Sequence, residues 1–208
     1  MLLNRPAGDE LSAVDRGTGD RGVALVEAGL VTPVLMFILI AIMEGGLLFR
    51  DWLTLGNMTA GGARSAAIAG SDPLADWQIL QELGKGGTGL QRANIQHIAI
   101  FKASSATSTI PLTCKTVAVS GTCNVYAASD LTLPQTSTAF TCIVGVSKDR
   151  FWCPTTRKNA VFNNNGNGPP DWIGVYVRYN HISVSSMFGS SMILEDQTVT
   201  KLEPRKLV

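Results

Sequence analysis

The chain has 208 residues, which suits one globular domain of ordinary size with an appendage and excludes two large domains. Charged residues make up only 16% of it, below the roughly 25% of a typical soluble protein, so part of the chain is expected to sit outside water. The net charge of +1 and the scattered basic residues give no electrostatic footprint for nucleic acid, and that class of partner is set aside.

Residues 1–22 come first, with Arg5, Arg16 and Arg21 against Asp9, Glu10, Asp15 and Asp20 and no apolar periodicity. Such a segment is expected to be a disordered polar leader. Val23 to Phe49 follows as a 27-residue apolar run broken only by Glu27 and Glu44. As a helix it would extend about 40 Å, more than the roughly 30 Å of bilayer hydrocarbon. One transmembrane helix is the reading. A secretory signal peptide fits poorly, because its apolar region is shorter and ends in a small-x-small cleavage site. Glu44 lies 21 residues beyond Val23, about 32 Å along a helix, which places it with Arg50 at the far membrane surface, where it is expected to need no buried partner. Pro33 removes a backbone hydrogen bond and is expected to bend the helix.

After the span, "RDWLTLGNMTAGGARSAAIAG" keeps a helical pattern as far as Gly70, although Gly56, Gly61 and Gly62 each weaken it by about 1 kcal/mol relative to alanine. "SDPLADWQILQEL" predicts a second helix, with Ser71 or Asp72 as cap, Pro73 in the first turn and an apolar stripe of Leu74, Trp77, Leu80 and Leu83. "GKGGTG" is expected to end it. "IQHIAIFKA" reads as a short strand, followed by Ser/Thr-rich segments and a loop at Asn163 to Asp171. "WIGVYVRYNHISV" alternates Val175, Val177 and Tyr179 against Tyr176, Arg178 and Asn180, and "SMILEDQTVTKLEP" alternates again, so the two are expected to pair antiparallel across "SSMFGS". The expected fold is α+β: an N-terminal transmembrane helix extending into a helical spine, with a small C-terminal antiparallel β-sheet domain. The expected divisions are a leader at 1–22, the helix and its extension at 23–70, and an outer domain at 71–208.

Cys114, Cys123, Cys142 and Cys153 all follow the span, at spacings too wide for zinc-type pairs, and only His97 and His181 could assist a metal site. Disulfides in an oxidising compartment are expected. Four cysteines allow three connectivities, and sequence proximity alone favours Cys114 with Cys123 and Cys142 with Cys153. Ser185, Ser186, His181 and Asp196 come without a nucleophile elbow, metalloprotease motif or phosphate loop, and "GKGGTGLQ" lacks the ending of a phosphate loop. No catalytic residue, cofactor or metal is expected.

The specific signal is Gly22 before an apolar helix with Glu27 as the fifth residue after it, the pattern of type IV prepilins. Arg21, Gly22, Glu27, Pro33, Glu44 with Gly45, and "GARSAA" at Gly62 to Ala67 together resemble the N-terminal segment of TadE-like minor pseudopilins of the tight-adherence (Tad, or Flp) pilus. The C-terminal strand pair with its finish at Lys201 to Pro204 looks similar to that family's ending. Residues 71–170 match nothing. The resemblance implies a cytoplasmic leader cut by a prepilin peptidase between Gly22 and Val23, with Glu27 setting register between packed subunits. It also implies residence in the inner (cytoplasmic) membrane as a single-pass protein with an extracytoplasmic C-terminal domain. The partners it implies are other pilins or pseudopilins, the Tad inner-membrane assembly platform and the lipid bilayer. The alternative is a membrane-anchored or secreted surface binding protein, acting in adhesion, that uses the pilin-type signal only for export.

Overall fold

A computed structural model of the chain describes residues 17–159, 169–186 and 189–203, with side chains from Gly22 onward. The expected leader up to residue 16, most of the Asn163 to Asp171 loop, and Pro204 lie outside the described residues. The chain divides into two compact units, Met1–Met43 and Glu44–Val208.

Within the first unit the described residues belong to α1, a helix spanning Gly17–Ala69 that runs through Pro33. Apolar side chains cover every face of it: Leu25, Val26, Leu30, Val34, Leu39 and Ile42 are all exposed. A helix with no polar face is either deeply buried or lipid-facing. Among the described residues this is the one helix long and apolar enough to cross a membrane, with a mean hydropathy of 2.4 in its apolar window.

In the second unit, α1 from Glu44 onward lies on a four-stranded antiparallel sheet. The strands are β1 (Ile95–Ala103), β2 (Cys123–Tyr126), β3 (Trp172–Ile182) and β4 (Ser191–Lys201), in the order β2-β1-β3-β4. Leu55, Met58, Ala63 and Ala66 of α1, Ile79, Leu80 and Leu83 of α2 (Ala75–Gly86), and Ile98, Ile100, Val175 and Val177 of the sheet form one core. Burying each large apolar side chain here contributes about 1.5–3 kcal/mol. On the opposite face, Phe101, Cys114, Cys123 and Tyr176 form a second, smaller core under the chain from Ile110 to Val119. That covering layer explains why the alternation expected in β3 is muted: Tyr176 is as buried as Val175 and Val177.

Local details depart from the sequence reading for packing reasons. Neither Ser71 nor Asp72 caps α2; Asp72 Oδ1 accepts from the Leu74 amide at 2.8 Å and closes a turn ahead of the helix. The helix also continues through Gly84 to Gly86, where a Cβ would stand 3.0 Å from the Met58 backbone. Gly62 is a contact point as well as a weak helix former, since a Cβ there would lie 2.7 Å from Leu83 Cδ2. Gly174 sits under the Phe101 ring of its cross-strand partner, with space for hydrogen only. The Ser/Thr-rich stretch forms the short strand β2 and five 3₁₀ turns between Leu112 and Thr156.

Candidate functional site

Gly22, Val23 and Glu27 lie on consecutive turns of α1, with Val23 and Glu27 exposed. A Cβ at Gly22 would meet nothing within 4 Å, so packing inside the chain does not require glycine there. Four residues separate Val23 from Glu27, about 6 Å of helical rise. Glu27 makes no hydrogen bond or ion pair among the described residues. As the one charged side chain between Val23 and Met43, this carboxylate is thus available to a group from another molecule.

In the second unit, α1 meets the sheet through a row of polar side chains interleaved with the core. Glu44 is buried, against the expectation that it needs no protein partner. Its carboxylate accepts from the Ser183 hydroxyl, from the Val184 amide at 2.7 Å and from the Ser185 amide at 3.1 Å, so it satisfies the turn that follows β3. One cause explains the difference: the β3–β4 hairpin reaches the level of Glu44, which spacing along a helix cannot reveal. Seven residues on, Asp51 Oδ2 and His181 Nδ1 share a hydrogen bond at 2.9 Å. Arg50, on the exposed side, donates to Asp51 Oδ1 at 2.7 and 3.1 Å. Thr59 bonds Asp196, and Thr198 donates to Thr59 at 3.2 Å. Higher on the helix, Ala67 O accepts from the Glu203 amide at 2.9 Å. Hence α1 runs antiparallel to β3, and the β3–β4 turn lies at the Glu44 end.

Residues 22–64 match the family described as TadE-like protein. Neither a curated protein nor a solved structure matches the chain. The TadE-like segment begins at Gly22 and contains Glu27, Pro33, Glu44, Arg50, Asp51, Thr59 and Gly62. It therefore holds the apolar helix together with most of the side chains through which α1 grips the sheet.

Beyond the TadE-like segment, disulfides join Cys114 to Cys123 and Cys142 to Cys153, the pairs that are nearest in sequence. Between and beside them lies a buried polar cluster centred on Asp76 of α2. Its Oδ1 accepts from Arg157 Nη2 at 2.5 Å, and its Oδ2 accepts from Tyr126 Oη and from Asn124 Nδ2, both at 2.7 Å. Asn124 also exchanges hydrogen bonds with the Trp152 backbone, and the Arg157 guanidinium lies 4.4 Å from the Trp152 ring centre. Burial and the Asp76 charge push the Tyr126 hydroxyl well above its usual range, keeping it a neutral donor. Arg157 Nε and Nη1 are buried in the cluster without a hydrogen-bond partner among the described residues.

Burial pushes the Asp149 carboxyl up to about 6, opposed by the Cys142 amide, which donates to it at 2.9 Å. A raised carboxyl favours the protonated folded state, so its contribution is fully present below about pH 4 and is lost as pH rises through about 6. Asp149→Asn keeps an acceptor without the charge. It is expected to stabilise the fold at pH 7 by on the order of 3 kcal/mol relative to its effect at pH 4. Urea midpoints at the two pH values check this, and equal effects would contradict it.

Outside the sheet's second core, Ile110, Leu112, Lys115, Tyr176, Glu195 and Gln197 line a shallow groove. Lys115 donates to Glu195 at 2.5 Å, holding that carboxyl below its usual range, and Gln197 bonds the Ile110 amide and Ser108 carbonyl, while the buried Tyr176 hydroxyl has no hydrogen-bond partner by geometry. Among the described residues no group of three or more His, Cys, Asp or Glu is placed to hold a metal ion.

Proposed function

We propose that this chain is a minor pilin or pseudopilin of a Tad-type pilus machine, a structural component that takes part in pilus biogenesis or initiation. A prepilin peptidase removes the leader after Gly22. The new amine of Val23 on one subunit then pairs with the Glu27 carboxylate of a neighbour displaced along the helix bundle, which fixes register. The apolar helix anchors the protein in the cytoplasmic membrane as a single pass, and the disulfide-bearing unit faces the extracytoplasmic space, where oxidation of its cysteines is permitted. The pilin helices of other subunits and the inner-membrane assembly platform are its partners.

The observation that carries this reading is the coincidence of the TadE-like match, beginning at Gly22, with an unpaired carboxylate at Glu27 on an apolar helix. An intramembrane carboxylate is costly unless it is paired. Cell-surface shearing tests the proposal: the mature protein should sediment with pili or its deletion should abolish them, whereas wild-type piliation in the deletion strain would contradict it. A second reading, a surface binding protein exported by the pilin route, is favoured by the loop inside the Cys142–Cys153 bridge. There Ile143, Val144 and Val146 are exposed, and Ser147 Oγ accepting from the Ile143 amide at 2.8 Å holds the loop in shape. Release of the protein from cells independently of pili would support that alternative.

A further inference from the structure

We infer that the outer edge of β4 is a strand-addition site, where an extended segment of a partner protein pairs with Glu195, Gln197 and Val199 and sets a large uncharged side chain into the groove beside them. β4 ends the sheet, and its 11 residues pair with β3 from Ile182–Ser191 to Trp172–Lys201 without a bulge. In the same register the Ser183 amide bonds the Ser190 carbonyl and the Leu202 amide bonds the Asp171 carbonyl. Hydrogen-bonded pairs alternate along an antiparallel ladder, so the even-numbered residues of β4 bond β3 and the odd-numbered ones turn their N–H and C=O groups outward. Among the described residues no hydrogen bond reaches those outward groups. The opposite edge of the sheet is closed: β2 has 4 residues, Asn124 exchanges hydrogen bonds with the Trp152 backbone, and Val119 bridges to the disulfide-bonded Cys123.

Proteins blunt an open edge with proline, bulges or covering chain, because an unpaired ladder recruits another strand. β4 contains no proline, and its charged side chains are tied down on its two faces: Asp196 to Thr59, Glu195 to Lys115 at 2.5 Å, and Lys201 over the Trp172 ring at 5.7 Å. An edge held this firmly in strand geometry lowers the ordering cost of adding another strand. Its repeat of backbone donors and acceptors is complemented by an extended peptide, and the adjoining groove selects one of that peptide's side chains. The groove has a volume of about 450 Å³ and opens at Glu195–Gln197. Ile110 and Leu112, the latter 84% exposed, give it apolar walls, and Tyr176 adds its unpartnered hydroxyl. Lys115 and Glu195 neutralise each other, which favours an uncharged occupant. A partner residue opposite Gln197 shares its face of the sheet and so projects toward the groove. A second copy would bring Glu195, Gln197 and Val199 from the middle of its own β4, and these are already held by Lys115, by the Ile110 amide and by the second core. The occupant is therefore a segment of a different protein.

The test uses the full chain, isotopically labelled and solubilised in detergent, with short synthetic peptides of alternating threonine and valine whose central residue is tyrosine, glycine or aspartate. Amide hydrogen exchange followed by nuclear magnetic resonance reads each position of β4. In the free protein Asp196 and Thr198 should be protected while Glu195, Gln197 and Val199 exchange fast. The tyrosine peptide should slow those three amides by roughly tenfold or more, since they become hydrogen-bonded. The glycine and aspartate peptides should bind roughly tenfold more weakly, because neither fills the groove with an uncharged side chain. Leu112→Asp should weaken the tyrosine peptide by about the same factor and leave Asp196 and Thr198 protected, because Leu112 lies outside the core. Failure of every peptide to slow the three amides overturns the inference, as does equal binding of all three peptides or an unchanged affinity in Leu112→Asp. Protection of Glu195, Gln197 and Val199 before any peptide is added also overturns it: a second copy holds the edge if the protection rises with protein concentration, and the chain covers its own edge if it does not.

Discussion

Replacing Asp76 with alanine is expected to destabilise the sheet-bearing unit by about 3–5 kcal/mol, since it leaves the buried Arg157 guanidinium without its counter-charge. The same change removes the acceptor for Tyr126 and for Asn124. Against a total stability of about 5–15 kcal/mol, such a loss brings much of the population to the unfolded state in mild denaturant. Urea unfolding of the detergent-solubilised chain, followed by near-ultraviolet circular dichroism, measures it. The double variant Asp76→Leu, Arg157→Met removes both charges and should recover most of the loss, because a buried pair replaced by apolar side chains is often neutral. If the single variant unfolds at the same urea concentration as the parent, the ion pair does not stabilise the unit.

Glu27→Gln is expected to separate assembly from everything that precedes it. Removing a charge lowers the cost of inserting the helix, so membrane integration should be unimpaired. Cleavage after Gly22 should also proceed, because the substitution lies beyond the scissile bond and leaves the helix intact. Assembly should fail, since the amine of Val23 would lose its partner in the helix bundle, at a cost of about 3–5 kcal/mol per broken buried pair. Electron microscopy should show few or no pili while mature protein accumulates in the membrane. Normal piliation with normal processing would make Glu27 an interfacial carboxylate and nothing more.

Much of the fold was legible because its signals are local. The apolar run needed only composition and length, and the β3–β4 hairpin needed only two alternating segments separated by a short connection. The Cys114–Cys123 and Cys142–Cys153 bridges follow chain proximity. What stayed hidden depends on contacts between residues far apart. Asp76 meets Asn124, Tyr126 and Arg157 across separations of 48, 50 and 81 residues, and no spacing rule connects them. Glu44 looked like a solvated interfacial carboxylate because its partners lie 139 to 141 residues away, in a turn whose reach a helix position does not disclose. Gly62 was read through helix propensity alone, although its place against Leu83 explains why a side chain is excluded. The 3₁₀ turns carry no periodicity in the sequence at all, which is why the stretch between β1 and β3 could not be assigned. For the candidate site, Gly22 and Glu27 both lie in α1, and the chemistry proposed for them depends on a peptidase and a neighbouring subunit.

On the proposed function, the chain enters the membrane as a prepilin and matures by loss of its leader. Intact-mass analysis of protein extracted from the membrane of cells carrying the prepilin peptidase tests this most directly. The expected result is a mature chain that begins at Val23, shorter by 22 residues than the full sequence, and accumulation of the uncleaved form when Gly22 is replaced by a bulky residue. A mature protein that still begins at Met1, or one that begins beyond Phe49, would contradict it.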